Sequence, residues 1–172
     1  LVVLVRRCLH AVRGTAAKVL VNDRIDVSVA AQADGVHLRS DSIDAFVART
    51  VLPPEALLGR SVHSVEEAVA ATRAGGIDYL ILGTLFQTAS KDSTHSLTTL
   101  DDLSAVSRMS AVPVLAIGGM TLERAPAVAQ AGASGVAGIG LFIPADGQRQ
   151  QVHLRAIVAG LRRVFDTCGA VP

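Results

Sequence analysis

Six short runs of apolar and β-branched residues recur along the chain, separated by longer stretches with helix signals. The runs are KVLVN (18–22), GVHL (35–38), LLGRSV (57–62), DYLILG (78–83), VPVLAIG (112–118) and SGVAGIG (134–140). Several are apolar almost throughout, as strands buried on both faces are, whereas half-exposed antiparallel strands would alternate. That pattern predicts βα repetition around a parallel sheet, an α/β fold. An open doubly wound sheet and a closed (β/α)8 barrel both satisfy it. Small glycine-rich turns close the last two strands, at residues 118–119 and 138–140. A phosphate site after the final strands is a barrel habit, while a doubly wound nucleotide fold places its glycine loop after the first strand. No G-x-G-x-x-G opens the chain and it has no Walker sequence. The expectation is a (β/α)8 TIM-type barrel, with residues 1–172 as one domain. Such barrels typically need at least ~200 residues, so roughly two βα units are expected to be missing from the N-terminal side of this chain.

The helix signals lie between the runs. SVEE (64–67) reads as a capping box, Ser64 accepting from the Glu67 amide and the Glu67 carboxylate reaching back. That helix stops at Gly75 and Gly76. TLDDLSAVSRM (99–109) has a threonine cap and early acids. TLERAPAVAQAG (121–132) is expected to start at Thr121, with Pro126 making its first turn irregular. Residues 151–165 form the last amphipathic helix, and in a helix over residues 1–13 Leu1, Leu4, Val5 and Cys8 share a face.

Composition excludes several classes. The 172 residues, half of them hydrophobic, suffice for one sizeable core. The 16 basic and 15 acidic residues are dispersed, and one Tyr, four Phe and no Trp give no base-stacking surface, so nucleic acid is not an expected partner. The opening LVVLV is too short for a signal core or a membrane span. Cys8 and Cys168 suit a reduced pair, and the expected compartment is the cytoplasm. Helical surfaces rich in Ala and Leu are compatible with a homodimer.

In a barrel the active residues sit at the C-terminal strand ends. The turn IGGMT (117–121) can bring amides of Gly118 and Gly119 to an anion, and GVAGIG (135–140) offers a second pair of amides; either is also an ordinary tight turn. In VNDR (21–24) Asp23 can hold a hard cation such as Mg²⁺, or cap the next helix and pair with arginine. His37 and His63 are lone strand-end histidines without metal spacing, and neither cysteine has the setting of a nucleophile. GTLFQTASK (83–91) breaks a buried strand into Thr88, Ser90 and Lys91, groups that either grip an anion or are simply solvated.

Together, VNDRIDVSVAAQADGVHL, GRSVHSVEEAV, DYLILGTLFQTASK, VPVLAIGGMT and AGASGVAGIG resemble the thiamine phosphate synthase/TenI superfamily, in order from about Val19 to Phe142. GRSVHSVEEAV and AIGGMT look more like its TenI-type branch. The resemblance implies a (β/α)8 barrel in thiamine biosynthesis. Its synthases join hydroxymethylpyrimidine diphosphate to a thiazole phosphate with Mg²⁺ and release pyrophosphate, and its tautomerases aromatise a thiazole carboxylate phosphate. It further implies that Gly119, Ile139 and Gly140, with Gly118, line the thiazole phosphate site, supported by Thr88 and Ser90. Lys91 would hold pyrophosphate oxygens, with Ser61 near the reacting centre. Asn22 and Asp23 would serve the pyrimidine diphosphate and its Mg²⁺.

The chain departs from the family pattern at three places. The synthase GQxD reads RSDS (39–42), which puts Ser42 on the metal-binding aspartate and leaves Asp41 as the substitute ligand. The tautomerase histidine falls on Thr84, and a serine after the last strand falls on Gly140. The family's Gln, Arg and Lys on its second strand have no counterpart in these residues. The leading expectation is condensation. A tautomerase and a non-catalytic phosphate-binding regulator are the alternatives.

Overall fold

The structure is a computed structural model that describes residues 1–87, 97–143 and 150–166. Its strands are β1 (Leu20–Asn22), β2 (Gly35–Leu38), β3 (Leu57–Val62), β4 (Tyr79–Leu82), β5 (Val114–Ile117) and β6 (Gly135–Ala137). All six predicted runs are strands, trimmed at their ends. They form one sheet in the order β1-β2-β3-β4-β5-β6, every pair parallel. The C-terminal strand ends therefore lie along one edge, as an α/β half-barrel requires. Six of the eight strands expected of a closed barrel are present among the described residues.

The helices are α1 (Val2–Val12), α2 (Ile25–Ala31), α3 (Ala45–Val51), α4 (Val65–Ala74), α5 (Leu100–Met109), α6 (Ala125–Gln130) and α7 (Gln150–Phe165), with a 3-10 turn at Gly140–Phe142. One face of the sheet supplies Val36, Leu38, Leu58, Leu80, Leu82 and Val114, which pack with Ala48 of α3, Leu103 and Val106 of α5 and Val128 of α6. Burying a side chain of this size contributes about 1.5–3 kcal/mol, so this layer is the main source of stability. A smaller cluster joins Val5 of α1 to Val21, Val27 and Ala31, with Val2 and Leu9 packed against it. The inward face of α1 is thus Val2, Val5 and Leu9; of the residues on the Leu1, Leu4, Val5 and Cys8 face only Val5 is buried. Cys168 lies outside the described residues.

Local signals explain the helix starts. Ser64 accepts from the Glu67 amide at 3.2 Å, but the Glu67 carboxylate takes the His63 amide at 2.9 Å instead of that of Ser64. Thr99 and Asp102 make the reciprocal box, at 2.8 and 3.0 Å. The expected helix from Thr121 is shorter: α6 begins at Ala125, with Arg124 as N-cap. Pro126, preset for a first turn, is the second residue of the helix.

Candidate functional site

Parallel register puts Asn22 beside His37, His37 beside Gly59, and Gly59 beside Tyr79. Paired residues in neighbouring strands share a face, so this row crosses β1 to β4 on the side away from the buried leucines. Gly59 is needed in it. A Cβ there would sit 2.0 Å from Tyr79 Cζ, so its absence lets the phenol lie over β3 and stack on the His37 ring, centroids 5.6 Å apart. His37 Nδ1 is 3.1 Å from Tyr79 Oη and Nε2 is 2.8 Å from Ser61 Oγ. Burial lowers the His37 pKa, and burial followed by the Asp78 charge pushes Tyr79 up to about 12. Near neutral pH the chain is therefore phenol, neutral imidazole and hydroxyl. A neutral imidazole has one donor and one acceptor. When Tyr79 donates to Nδ1, Nε2 donates to Ser61, and the serine proton is free for a ligand. His37 is thus a satisfied histidine and also the residue that orients Ser61. His63 is satisfied outright by the Gly83 carbonyl, 2.6 Å from Nδ1.

Asp23 follows β1 in a left-handed conformation, φ 63°. Aspartate tolerates this better than most residues. Its amide donates to the His37 carbonyl at 2.8 Å. Its Oδ1 accepts the Ser42 hydroxyl, and its Oδ2 is 3.6 Å from Arg39 Nη2. Asp41 Oδ1 is 3.1 Å from Arg39 Nε and Oδ2 is 3.4 Å from Nη2. The two carboxylates assigned to Mg²⁺ do converge, but on a guanidinium and a hydroxyl. Among the described residues no three His, Cys, Asp or Glu side chains gather as metal ligands. With every carboxylate oxygen engaged and a fixed positive charge between the two acids, this donor set does not fit a metal held by the protein.

The glycine turns are built differently from each other. Beyond β4, the Leu85 amide donates to the Ile117 carbonyl at 3.0 Å and the Phe86 amide to Gly118 at 3.2 Å, so the 83–86 loop is zipped to the 117–119 turn. Gly118 and Gly119 have φ of 106° and 55°. A Cβ on Gly118 would lie 2.4 Å from Thr84 Cγ2, and one on Gly119 would lie 2.8 Å from both Phe86 Cβ and the Gln87 carbonyl. Neighbouring protein therefore dictates these glycines. A Cβ on Gly119 would meet this loop, whereas the sequence expectation put an anion there. The expected Thr-capped helix behind them is also absent, since α6 starts four residues after Thr121. Arg124 stacks 4.5 Å from the Phe86 ring and donates to the Gly119 carbonyl. In a trans peptide the next N–H points opposite the carbonyl, so Arg124 fixes the direction of the Met120 amide. After β6, Ile139 is exposed and caps the 3-10 turn, whose first bond runs from Phe142 to Ile139 at 3.1 Å. The opening amides of such a turn have no partner within it. A Cβ on Gly140 would meet nothing within 4 Å.

The site residues expected from sequence thus fall into three groups at one sheet edge: Asn22 with Ser61 in the His37 row, Asp23 with Asp41 around Arg39, and Gly118, Gly119, Ile139 and Gly140 on the last two turns. Thr88, Ser90 and Lys91 lie outside the described residues. Sequence reasoning missed three participants. Tyr79 was hidden in an apolar run, although register with Gly59 marks it. Arg39 was overlooked in RSDS, where attention went to the lost carboxylate. Arg124 sits inside a stretch read as helix.

Comparison with known proteins identifies the family. The family model for thiamine monophosphate synthase matches residues 1–142. The chain is 40% identical over 160 residues to a thiamine-phosphate synthase of Roseiflexus sp. (strain RS-1), covering 92% of this chain and 67% of that one. It is 44% identical over 130 residues to one from Haloarcula marismortui, covering 74% and 61%. This chain therefore spans about two thirds of the length of the curated relatives it matches. A thiamine phosphate pyrophosphorylase structure from Pyrococcus furiosus superposes with a TM-score of 0.82 at 29% identity, over 98% of this chain and 77% of that one. A 3-hexulose-6-phosphate synthase structure, at 20% identity and a TM-score of 0.61, shares the fold alone. No described helix is long and apolar enough to cross a membrane. A parallel α/β half-barrel with its polar row and glycine turns on one edge, matched by this family along most of its length, makes the chain a member of the thiamine monophosphate synthase family.

Proposed function

We propose that the chain acts as a thiamine-phosphate synthase and supplies six βα units of a domain built as an eight-unit barrel. A thiazole phosphate would dock on the turns after β5 and β6, and hydroxymethylpyrimidine diphosphate would lie along the Asn22–His37–Ser61 row. The thiazole nitrogen forms a C–N bond to the pyrimidine methylene as the C–O bond to diphosphate breaks, and pyrophosphate leaves with the bonding pair. Stabilising that developing negative charge with preplaced donors is the main demand on the protein. Ser61, oriented by His37, would donate one hydrogen bond to a departing oxygen. Lys91 would supply a cation, with Thr88 and Ser90 beside the thiazole phosphate. Gly118 and Gly119 hold the β5 turn, and Gly140 and Ile139 present the opening amides of the 3-10 turn. No step is routed through Mg²⁺, because Asp23 and Asp41 do not fit it as they are paired.

The observation that carries this reading is the 40% identity with a thiamine-phosphate synthase across 160 residues. Turnover of the two substrates to thiamine phosphate and pyrophosphate tests it directly; failure to form either product from both substrates would sink it. Gly140→Val is the sharper probe of the cup. Its side chain enters open space, so the fold should survive while thiazole phosphate affinity falls at least ~10-fold, the loss of one charge-assisted hydrogen bond or more. Gly119→Val cannot serve, since it clashes with Phe86 and Gln87. A second reading, a phosphate binder without chemistry, draws on the Asp23–Arg39–Asp41 pairing. Tight thiazole phosphate binding with no turnover would identify it.

A further inference from the structure

We infer that Arg39 is the resident cation of the diphosphate corner, so that this chain receives a diphosphate on a guanidinium and not through a divalent metal. The inference rests on the proposed placement of the diphosphate near Asn22 and Asp23.

Three observations carry it. First, the turn that bears Arg39 is rigidly built. The Arg39 amide donates to Ser42 Oγ at 2.9 Å, the Ser42 amide donates to the Arg39 carbonyl at 3.2 Å, and the Ser42 hydroxyl goes on to Asp23. From β3, Arg60 reaches the carbonyls of Ser40, Ser42 and Ile43 at 2.9, 3.3 and 3.0 Å. Second, the acids aim the guanidinium. Asp41 engages Nε and Nη2, and Asp23 engages Nη2, while Nη1 has no partner among the described residues. Nη1 thus leaves N–H donors open to a phosphate oxygen on a cation already held along its Nε–Nη2 edge. The Arg39 side chain is 57% exposed, so an anion can reach it. Third, the corner excludes the competing ion. Magnesium requires oxygens at about 2.0–2.1 Å in near-octahedral order. Here the acids face a fixed positive charge, and the third oxygen is a neutral serine already donating to Asp23.

The test uses the full chain, inorganic pyrophosphate and Mn²⁺. Titration calorimetry in EDTA should show pyrophosphate binding by the unaltered protein, and Mg²⁺ should tighten it by no more than ~3-fold, the remainder after free-solution Mg²⁺–pyrophosphate binding is subtracted. Arg39→Ala should weaken binding in EDTA by ~10-fold or more, and Arg39→Lys, which keeps the charge and loses the fork, should fall between. Electron paramagnetic resonance should detect no bound Mn²⁺ in the anion-free protein, whereas the double variant R39G/S42D should bind it. Pyrophosphate binding that needs Mg²⁺, or that survives Arg39→Ala in EDTA, overturns the inference, as does Mn²⁺ bound to the unaltered protein. Thiazole phosphate binding measured on the same preparations separates the two readings. If it is retained while pyrophosphate fails in EDTA, Arg39 lacks this role and the proposed function stands. If neither ligand binds, both fall.

Discussion

The two ends of the sheet use aspartate in opposite ways. At the N-terminal end, Asp34 precedes β2 and Asp78 precedes β4. Each carboxylate takes a backbone amide of the neighbouring strand: Asp34 that of Val19 at 2.8 Å, Asp78 that of Leu58 at 2.7 Å. Each also takes a cation, Lys18 at 3.1 Å and Arg49 at 2.5 Å, and Arg49 further ties the carbonyls of Ala56 and Gly76. At the C-terminal end, Asp23 and Asp41 accept from side chains alone, Ser42 and Arg39. An acid bound to backbone amides is part of the architecture, since losing it strands donors that water replaces poorly. An acid bound only by other side chains holds no strand in place and belongs to the site instead of the frame. Sequence alone offers four similar-looking aspartates beside strands, and their bonding partners sort them.

The largest test of that contrast is Asp78→Ala. It leaves the Leu58 amide and one face of Arg49 without an acceptor, and should cost about 2–3 kcal/mol in urea unfolding. Asp34→Ala strands the half-buried Val19 amide, but its cation is exposed; the expected loss is about 1–2 kcal/mol. Equal stability of either variant and the parent would dissolve the distinction. Acidification should then separate the ends along the pH axis. The folded His37 pKa lies below 6.5, so below that pH the unfolded chain takes the proton first. Stability contributed by neutral His37 therefore falls as pH drops from 6.5 to its folded value, and is constant below it. Asp34 is depressed below 3.8, first by the Val19 amide, so its contribution is intact above 3.8 and is lost as pH falls through the folded value. Unfolding curves across pH, with histidine resonances followed by NMR, should show the loss near the mouth beginning first. His37→Asn should erase the upper step and leave the lower. The smallest effect is expected from Asp41→Ala, below ~1 kcal/mol, since its pair with Arg39 is exposed. A loss as large as that of Asp78→Ala would mean that the mouth is as architectural as the base.

The strands were legible because period and β-branching act locally, and their order followed from the short connections. What failed depended on partners distant in sequence. Thr121 looked like a cap, yet the helix starts at Ala125, and the side of α1 that meets α2 and β1 carries Val2, Val5 and Leu9. In the site, the positions of Asn22, Ser61 and Gly140 at the mouth followed from their place at strand ends. The reason for Gly119 did not, because the atoms that forbid a side chain there belong to Phe86 and Gln87. Nor could the Asp41 partner be read from spacing: a metal substitute and an arginine pair call for the same carboxylate.

Gly59 touches no proposed ligand, yet a methyl group placed there would displace the Tyr79 ring from over β3. His37 would then lose its stacking partner and one of its two hydrogen bonds, and the imidazole that aims Ser61, two residues further along the same strand, would no longer be held in place. A silent position thereby acts as a lever on a reacting one. Variation at residue 59 should be purged as strictly as variation at Ser61.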